Sequence, residues 1–176
     1  MNSFTEGYHT LYLHRHSVPD YQGGKINPQR HRPLMQMFRR HHRYSAPANP
    51  DHALTPAEAL AVKYGRKILP AFDGDMTGMP KGVNPARYEH WAFDVVQFFP
   101  NVVILFGNHW HIELFFWPLD ATTTEVVQDF YFYKPVTLGE RISHQFFLSR
   151  GRQVFLEDLN ALEAQQEMLS SGALTH

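Results

Sequence analysis

An α+β fold, with an antiparallel sheet carrying helices on one face, is what this sequence predicts, and three observations predict it. Four successive segments between Ala92 and Pro135 are dense in β-branched and aromatic residues, and Pro100-Asn101, Gly107-Asn108 and the run from Pro118 to Thr122 separate them. From about Leu138 to Ser170 the apolar residues recur at steps of three and four, the spacing of one helical face. At 176 residues and 43% hydrophobic, the chain is long enough for one domain with its own core and short for two.

The elements follow in order. "NSFTEGYHTLYLH", residues 2 to 14, reads as an opening helix with a glutamate and two histidines. Residues 15 to 52 read as loop, because "SVPDYQGGKINPQRHRP" and "YSAPANPD" place proline, glycine and asparagine too often for long regular elements; a short helix fits Leu34 to Arg40. "LTPAEALAVKYGRKILP" is a helix with Thr55 as N-cap, Pro56 at the first helical position, Glu58 complementing the dipole and Pro70 as the stop. "FDGDMTGMPKGVNP", residues 72 to 85, is a turn-rich connector suited to a flexible pocket rim. "AFDVVQFFP", "NVVILFGN", "WHIELFFWPLD" and "TEVVQDFYFYKP" are then four neighbouring strands. On the last, long helix Phe155, Leu159, Leu162, Gln166 and Leu169 share a face, Gly151 marks a place where it divides in two, and Gly172 suits its end.

Composition removes several function classes. Net charge is −1 with histidine neutral, and the basic residues are dispersed apart from "RRHHRYS", residues 39 to 45, which reads as a solvated loop or anion-contacting surface. No phosphate-binding stripe exists, so nucleic acid is not an expected partner. The absence of cysteine excludes disulfides, thiolate metal sites and a cysteine nucleophile within the chain, and fits the cytoplasm. No apolar run approaches the roughly 20 residues that span a bilayer, so no membrane association is expected. No G-x-S-x-G elbow, Walker loop or G-x-G-x-x-G turn occurs.

Among 12 histidines, spacing selects a few. Asp158 has helical neighbours Phe155 and Leu162 on the apolar stripe, and a carboxylate turned inward costs several kcal/mol unless paired, hydrogen-bonded or bound to a metal. It either meets such a partner or sits at the stripe's edge, reaching solvent or an arginine. Glu157, one step round, is expected to face water. In the opening segment Glu6 and His9 share a helical face, whereas His14 is about 140° from His9 at roughly 100° per residue. One ion could bind both only if the helix bends or the imidazoles swing together. A rival set is "GNHWHIELFFW": on a strand His109, His111 and Glu113 would point to one side, either as metal ligands or as a solvated or pocket-lining face.

"N-x-x-x-E-x-x-H-x-x-x-x-H" at Asn2, Glu6, His9 and His14, with "E-D-x-x-x-x-E-x-x-Q" at Glu157, Asp158, Glu163 and Gln166, resembles the catalytic domain of Rieske-type non-haem iron oxygenases, the large subunit of ring-hydroxylating oxygenases. The resemblance spans almost the whole chain and implies a helix-grip-like sheet with a long C-terminal helix. It implies His9, His14 and Asp158 as a 2-His-1-carboxylate triad on Fe(II), whose open positions admit O2 beside an aromatic or other apolar substrate. It gives Glu6 the role of electron-transfer bridge to a Rieske [2Fe–2S] cluster in a neighbouring subunit, although many members have aspartate there. Asn2 matches the family's asparagine near the iron, and Gln166, His109 and His111 become second-shell or pocket candidates.

Family members also carry a Rieske domain with cysteine and histidine cluster ligands ahead of the catalytic domain. The resemblance therefore implies that residues 1 to 176 are a single, truncated catalytic domain whose cluster lies in a separate domain or subunit. Its partners would be a Rieske protein or ferredoxin, an NAD(P)H reductase, and the copies of the trimer that members commonly form. Two alternatives stand beside this: an inactive apolar-ligand-binding domain derived from the family, and a metal-binding β-domain using His109, His111 and Glu113.

Overall fold

The computed structural model describes residues 7–18, 32–65 and 75–172. Among these, the helices are α1 (Thr10–Leu13), α2 (Pro56–Gly65) and α3 (Leu138–Ser170), and the strands are β1 (Leu34–Met37), β2 (His42–Pro47), β3 (Trp91–Phe98), β4 (Val102–Gly107), β5 (Trp110–Pro118) and β6 (Thr124–Phe132). The strands form one antiparallel sheet in the order β1-β2-β3-β4-β5-β6, so each pairs with its neighbours in sequence. The α+β class is the one expected, and β3 to β6 are the four anticipated strands. Among the described residues, no helix is long and apolar enough to cross a membrane.

The sheet is wider than expected. Residues 34 to 37 are a strand rather than part of a helix, and residues 42 to 47 are a strand rather than loop. Leucine and methionine favour helices intrinsically, but pairing overrides that weak preference. Leu34 to Met37 lie opposite Ser45 to His42, and the amide of Phe38 closes the turn on the carbonyl of His41 at 2.8 Å. Tyr44 to Pro47 are all buried, because β2 is an interior strand of the sheet.

The helix-facing side of the sheet forms the core. Tyr44, Val95, Val103, Ile112, Leu114 and Phe116 are buried together, and Phe147 and Phe155 of α3 pack against them. Each such side chain contributes about 1.5–3 kcal/mol through removal from water. α3 runs unbroken for 33 residues, about 50 Å, from a Thr137–Glu140 capping box to a left-handed Gly172 at φ 71°. Gly151 does not divide it. A Cβ there would come within 2.7 Å of the Phe130 ring, so the glycine lets the helix lie close on β6.

α2 begins where its composition predicts: the Thr55 hydroxyl accepts from the Glu58 amide (3.3 Å), and the Glu58 carboxylate accepts from the Thr55 amide (2.9 Å). Its expected stop at Pro70 lies outside the described residues. α2 packs on α3. The described part of the connector expected as a flexible rim is instead pinned. Buried Asn84 donates to the carbonyls of Met76 and Tyr88 and accepts from the Tyr88 amide, and its own amide donates to buried Asp94 at 3.2 Å.

Candidate metal centre

α1 is a single turn, shorter than the expected ligand helix, and the two histidines sit at its ends. His9 is its N-cap and His14 its C-cap, the latter at φ −97°, ψ 17°. Leaving helical geometry at His14 is what absorbs the about 140° mismatch of an i, i+5 pair. Tyr8 and Tyr12 point to solvent, 75% and 69% exposed, while the imidazoles turn inward with ring centroids 5.2 Å apart. The Thr10 hydroxyl donates to the Gly7 carbonyl (2.6 Å), and a Cβ on Gly7 would collide with the Tyr44 hydroxyl. Glycine therefore seats the start of α1 against a core residue on the helix-facing side of the sheet.

α3 brings the opposite wall. Asp158 is buried, with Phe155 one turn before it anchored in the core. Its Oδ1 lies 3.2 Å from His14 Nε2 and 3.6 Å from His9 Nε2. One donor atom from each of His9, His14 and Asp158 falls within 4.8 Å of the others, and this is the one such group found among the described residues. Bonds of about 2.1 Å from one ion to donors in adjacent positions would place those donors about 3 Å apart, close to the two distances from Asp158 Oδ1 to the imidazoles. Two imidazoles and a carboxylate, buried on one side and partly open at His9, form a donor set that fits a divalent first-row metal.

His14 is only 2% exposed and uses both ring nitrogens. Its Nδ1 is 2.8 Å from Glu157 Oε2, and the Ser17 hydroxyl donates to the same oxygen at 2.7 Å. Burial disfavours the charged imidazole, yet the facing carboxylates of Asp158 and Glu157 outweigh it and hold the His14 pKa above its ordinary value. A metal ion at this group would compete with a proton for Nε2. The expectation that Glu157 faces water is overturned: the helix wheel cannot register a wall supplied by a distant segment, and α1 with Ser17 covers that flank. The adjacent Glu157-Asp158 pair was the one available signal.

The other sequence candidates are placed elsewhere. Asn2 and Glu6 lie outside the described residues. Gln166, two turns beyond Asp158, is exposed and donates to Ser170 Oγ at 3.2 Å, so it is not brought to the centre. His109 is not on β5 but in the preceding turn with φ 65°, its ring edge-on to Tyr133. That removes it from the alternation expected of His109, His111 and Glu113. His111 stacks on Tyr131 with centroids 4.5 Å apart, its Nε2 3.6 Å from Glu113. These residues border a groove of about 670 Å³ near the β4–β5 turn, with Ile104, Phe106 and Tyr131. By register His111 and Glu113 occupy the sheet face turned away from the core that α3 covers.

No curated protein and no solved structure matches the chain. A family model does, that of the ring hydroxylating alpha subunit (catalytic domain), over residues 1–176. With that match along its whole length and a two-histidine, one-carboxylate cluster held between α1 and α3, the chain belongs to the ring-hydroxylating alpha-subunit catalytic domain family, a family of non-haem iron oxygenases.

Proposed function

We propose that this chain is a single catalytic domain that binds Fe(II) through His9, His14 and Asp158 and adds oxygen from O2 to an aromatic or other apolar substrate. The observation that carries the reading is the convergence of these three donors within 4.8 Å, from segments more than a hundred positions apart in sequence. When bound, a ferrous ion held on one face supplies open positions for O2 and a centre that accepts and passes on electrons.

The chain's own residues do the rest. His14, buried and oriented, presents Nε2 toward Asp158, and His9 closes the set from the more exposed side. Asp158 brings negative charge into an apolar wall, where its attraction for a cation is little screened. On this reading the substrate binds between sheet and α3, where the aromatic and aliphatic side chains of the buried cluster would exclude water from an apolar ring. Electrons come from NAD(P)H through a reductase and a Rieske [2Fe–2S] cluster held in a separate domain or subunit, with Glu6 as the bridging carboxylate and neighbouring copies arranged as a trimer. A cytoplasmic setting suits these partners.

Anaerobic loading with Fe(II) followed by metal analysis tests the site. One iron per chain is expected for the wild type and for His109→Ala, and none for Asp158→Ala. Iron retained by a His9→Ala, His14→Ala double variant would sink the assignment. With a Rieske ferredoxin, its reductase and NADH supplied, substrate-dependent O2 uptake is the expected activity.

A further inference from the structure

We infer that Glu157 is a positioning residue for the metal centre: it fixes His14 in the tautomer that offers Nε2 to the ion, and it adds negative charge behind that ligand. This rests on the metal reading proposed above. A carboxylate accepts hydrogen bonds and cannot donate them, so the 2.8 Å contact requires His14 Nδ1 to carry the proton. A metal ion can then displace only the Nε2 proton, which Asp158 accepts at 3.2 Å when no ion is bound, and the lone pair so freed is on the nitrogen that faces Asp158. Without an acceptor behind Nδ1, the alternative tautomer would put an N–H toward Asp158 and take the ligand away.

The carboxylate is itself held. Ser17 Oγ donates to the same Glu157 oxygen at 2.7 Å and lies 3.4 Å from the His14 carbonyl, so one short segment sets both the ring and its acceptor. Glu157 and Asp158 are consecutive on α3 and therefore diverge by about 100° round the helix axis. One reaches the metal-facing nitrogen and the other the rear nitrogen of the same imidazole, clasping the ring from two sides. Charge follows from this: a divalent ion with two neutral imidazoles and Asp158 keeps a net charge of about +1, which Glu157 brings close to neutral. A hydrogen-bonded carboxylate behind a ligand imidazole also raises its basicity.

Cobalt(II) titration of the full chain, read by its visible ligand-field spectrum, separates this role from mere packing. Glu157→Ala is expected to weaken Co(II) binding about 10–100-fold and to shift the spectrum, as loss of such outer partners does elsewhere. Glu157→Gln keeps the shape and can still accept from Nδ1 without the charge, so it is expected to lie between Glu157→Ala and wild type in both readouts. Wild-type affinity and spectrum in Glu157→Ala would overturn the inference. Should that variant fail to fold, a Glu157→Gln protein indistinguishable from wild type does the same. Asp158→Ala distinguishes the two levels: if it loses Co(II) while Glu157→Ala keeps it, only the positioning role fails, and if both keep it, the metal reading fails as well.

Discussion

Two histidine–carboxylate clusters sit against the same helix, two turns apart, and they are balanced in opposite ways. In the first, buried Glu58 of α2 meets His52 at 3.1 Å, the Thr55 amide at 2.9 Å and Arg150 of α3 at 2.7 Å. Its negative charge is matched by a guanidinium, and the result is a clamp between α2 and α3. In the second, Asp158 and Glu157 of α3 face His9 and His14, and among the described residues their ion pairs are to histidine alone. Among the described residues this carboxylate pair has only titratable partners and is short of positive charge, which a divalent cation would supply. The same residue types thus make a structural tie where arginine is present and a candidate metal centre where it is not.

The sharpest way to break this contrast is to remove one carboxylate from each cluster. Asp158→Ala should abolish stoichiometric iron and all oxygenase activity while leaving the fold in place, measured by metal analysis and circular dichroism. Glu58→Ala should do the reverse. It removes the carboxylate that receives Arg150 and the acceptor of the Thr55 amide, costing about 2–3 kcal/mol in urea unfolding, with Co(II) affinity unchanged. If Glu58→Ala impaired metal binding as severely as Asp158→Ala, the two clusters would be one unit and the contrast would fail.

The pH dependence of the metal-free protein sharpens it further, because the two clusters carry opposite signs. Burial works against the charged form of Glu58, but the Thr55 hydrogen bond and the Arg150 and His52 charges prevail and lower its pKa. Its contribution is present above the ordinary value of 4.5 and is lost as pH falls through the lower folded value. His14 is raised, so its contribution is complete below its ordinary value of 6.5 and is lost as pH rises through the higher folded value. Unfolding midpoints followed from pH 3 to 9, a range of roughly ordinary laboratory buffers, should show an acid limb that Glu58→Gln removes and an alkaline limb that His14→Gln removes. Saturating metal should erase the alkaline limb alone, since the ion then takes the place of the proton.

The contrast also explains what could be read from the chain beforehand. β3 to β6 announce themselves by runs such as Val102 to Phe106, where β-branched and aromatic residues leave little choice, and α2 by Thr55-Pro56 with Glu58. β1 and β2 do not, because Met35, Ser45, Ala46 and Pro47 carry no strand preference of their own and depend on partners, supplied to β1 by β2 and to β2 by β3. For the centre, Asp158 was conspicuous as a carboxylate on an apolar stripe, and His9 and His14 were candidates by spacing and resemblance. Their meeting depends on a one-turn helix ending at His14, which no periodicity encodes. Glu157 and Arg150 escaped for the same reason: a helix wheel sorts inside from outside, but only the packed neighbour decides whether an outside carboxylate meets water, a histidine or an arginine.

Between the two clusters on α3 lies Gly151, and it offers the smallest and most diagnostic perturbation. Alanine is the better helix former by about 1 kcal/mol, so an exposed glycine replaced by alanine should stabilise the helix. Here the added methyl would meet Phe130 at 2.7 Å and must push α3 away from β6 or the ring out of place, at a cost of about 1–3 kcal/mol. The net expectation for Gly151→Ala is a loss of about 1 kcal/mol in urea unfolding. If the helix responds by a rigid outward shift, both Arg150 and Asp158 move with it, and Co(II) affinity should fall together with the α2–α3 clamp. If only the Phe130 ring yields, stability should fall while Co(II) affinity and spectrum stay at wild type. The ligand-field spectrum of this single variant therefore reports whether α3 couples the clamp to the metal centre as one rigid rod, or whether each cluster holds its own geometry.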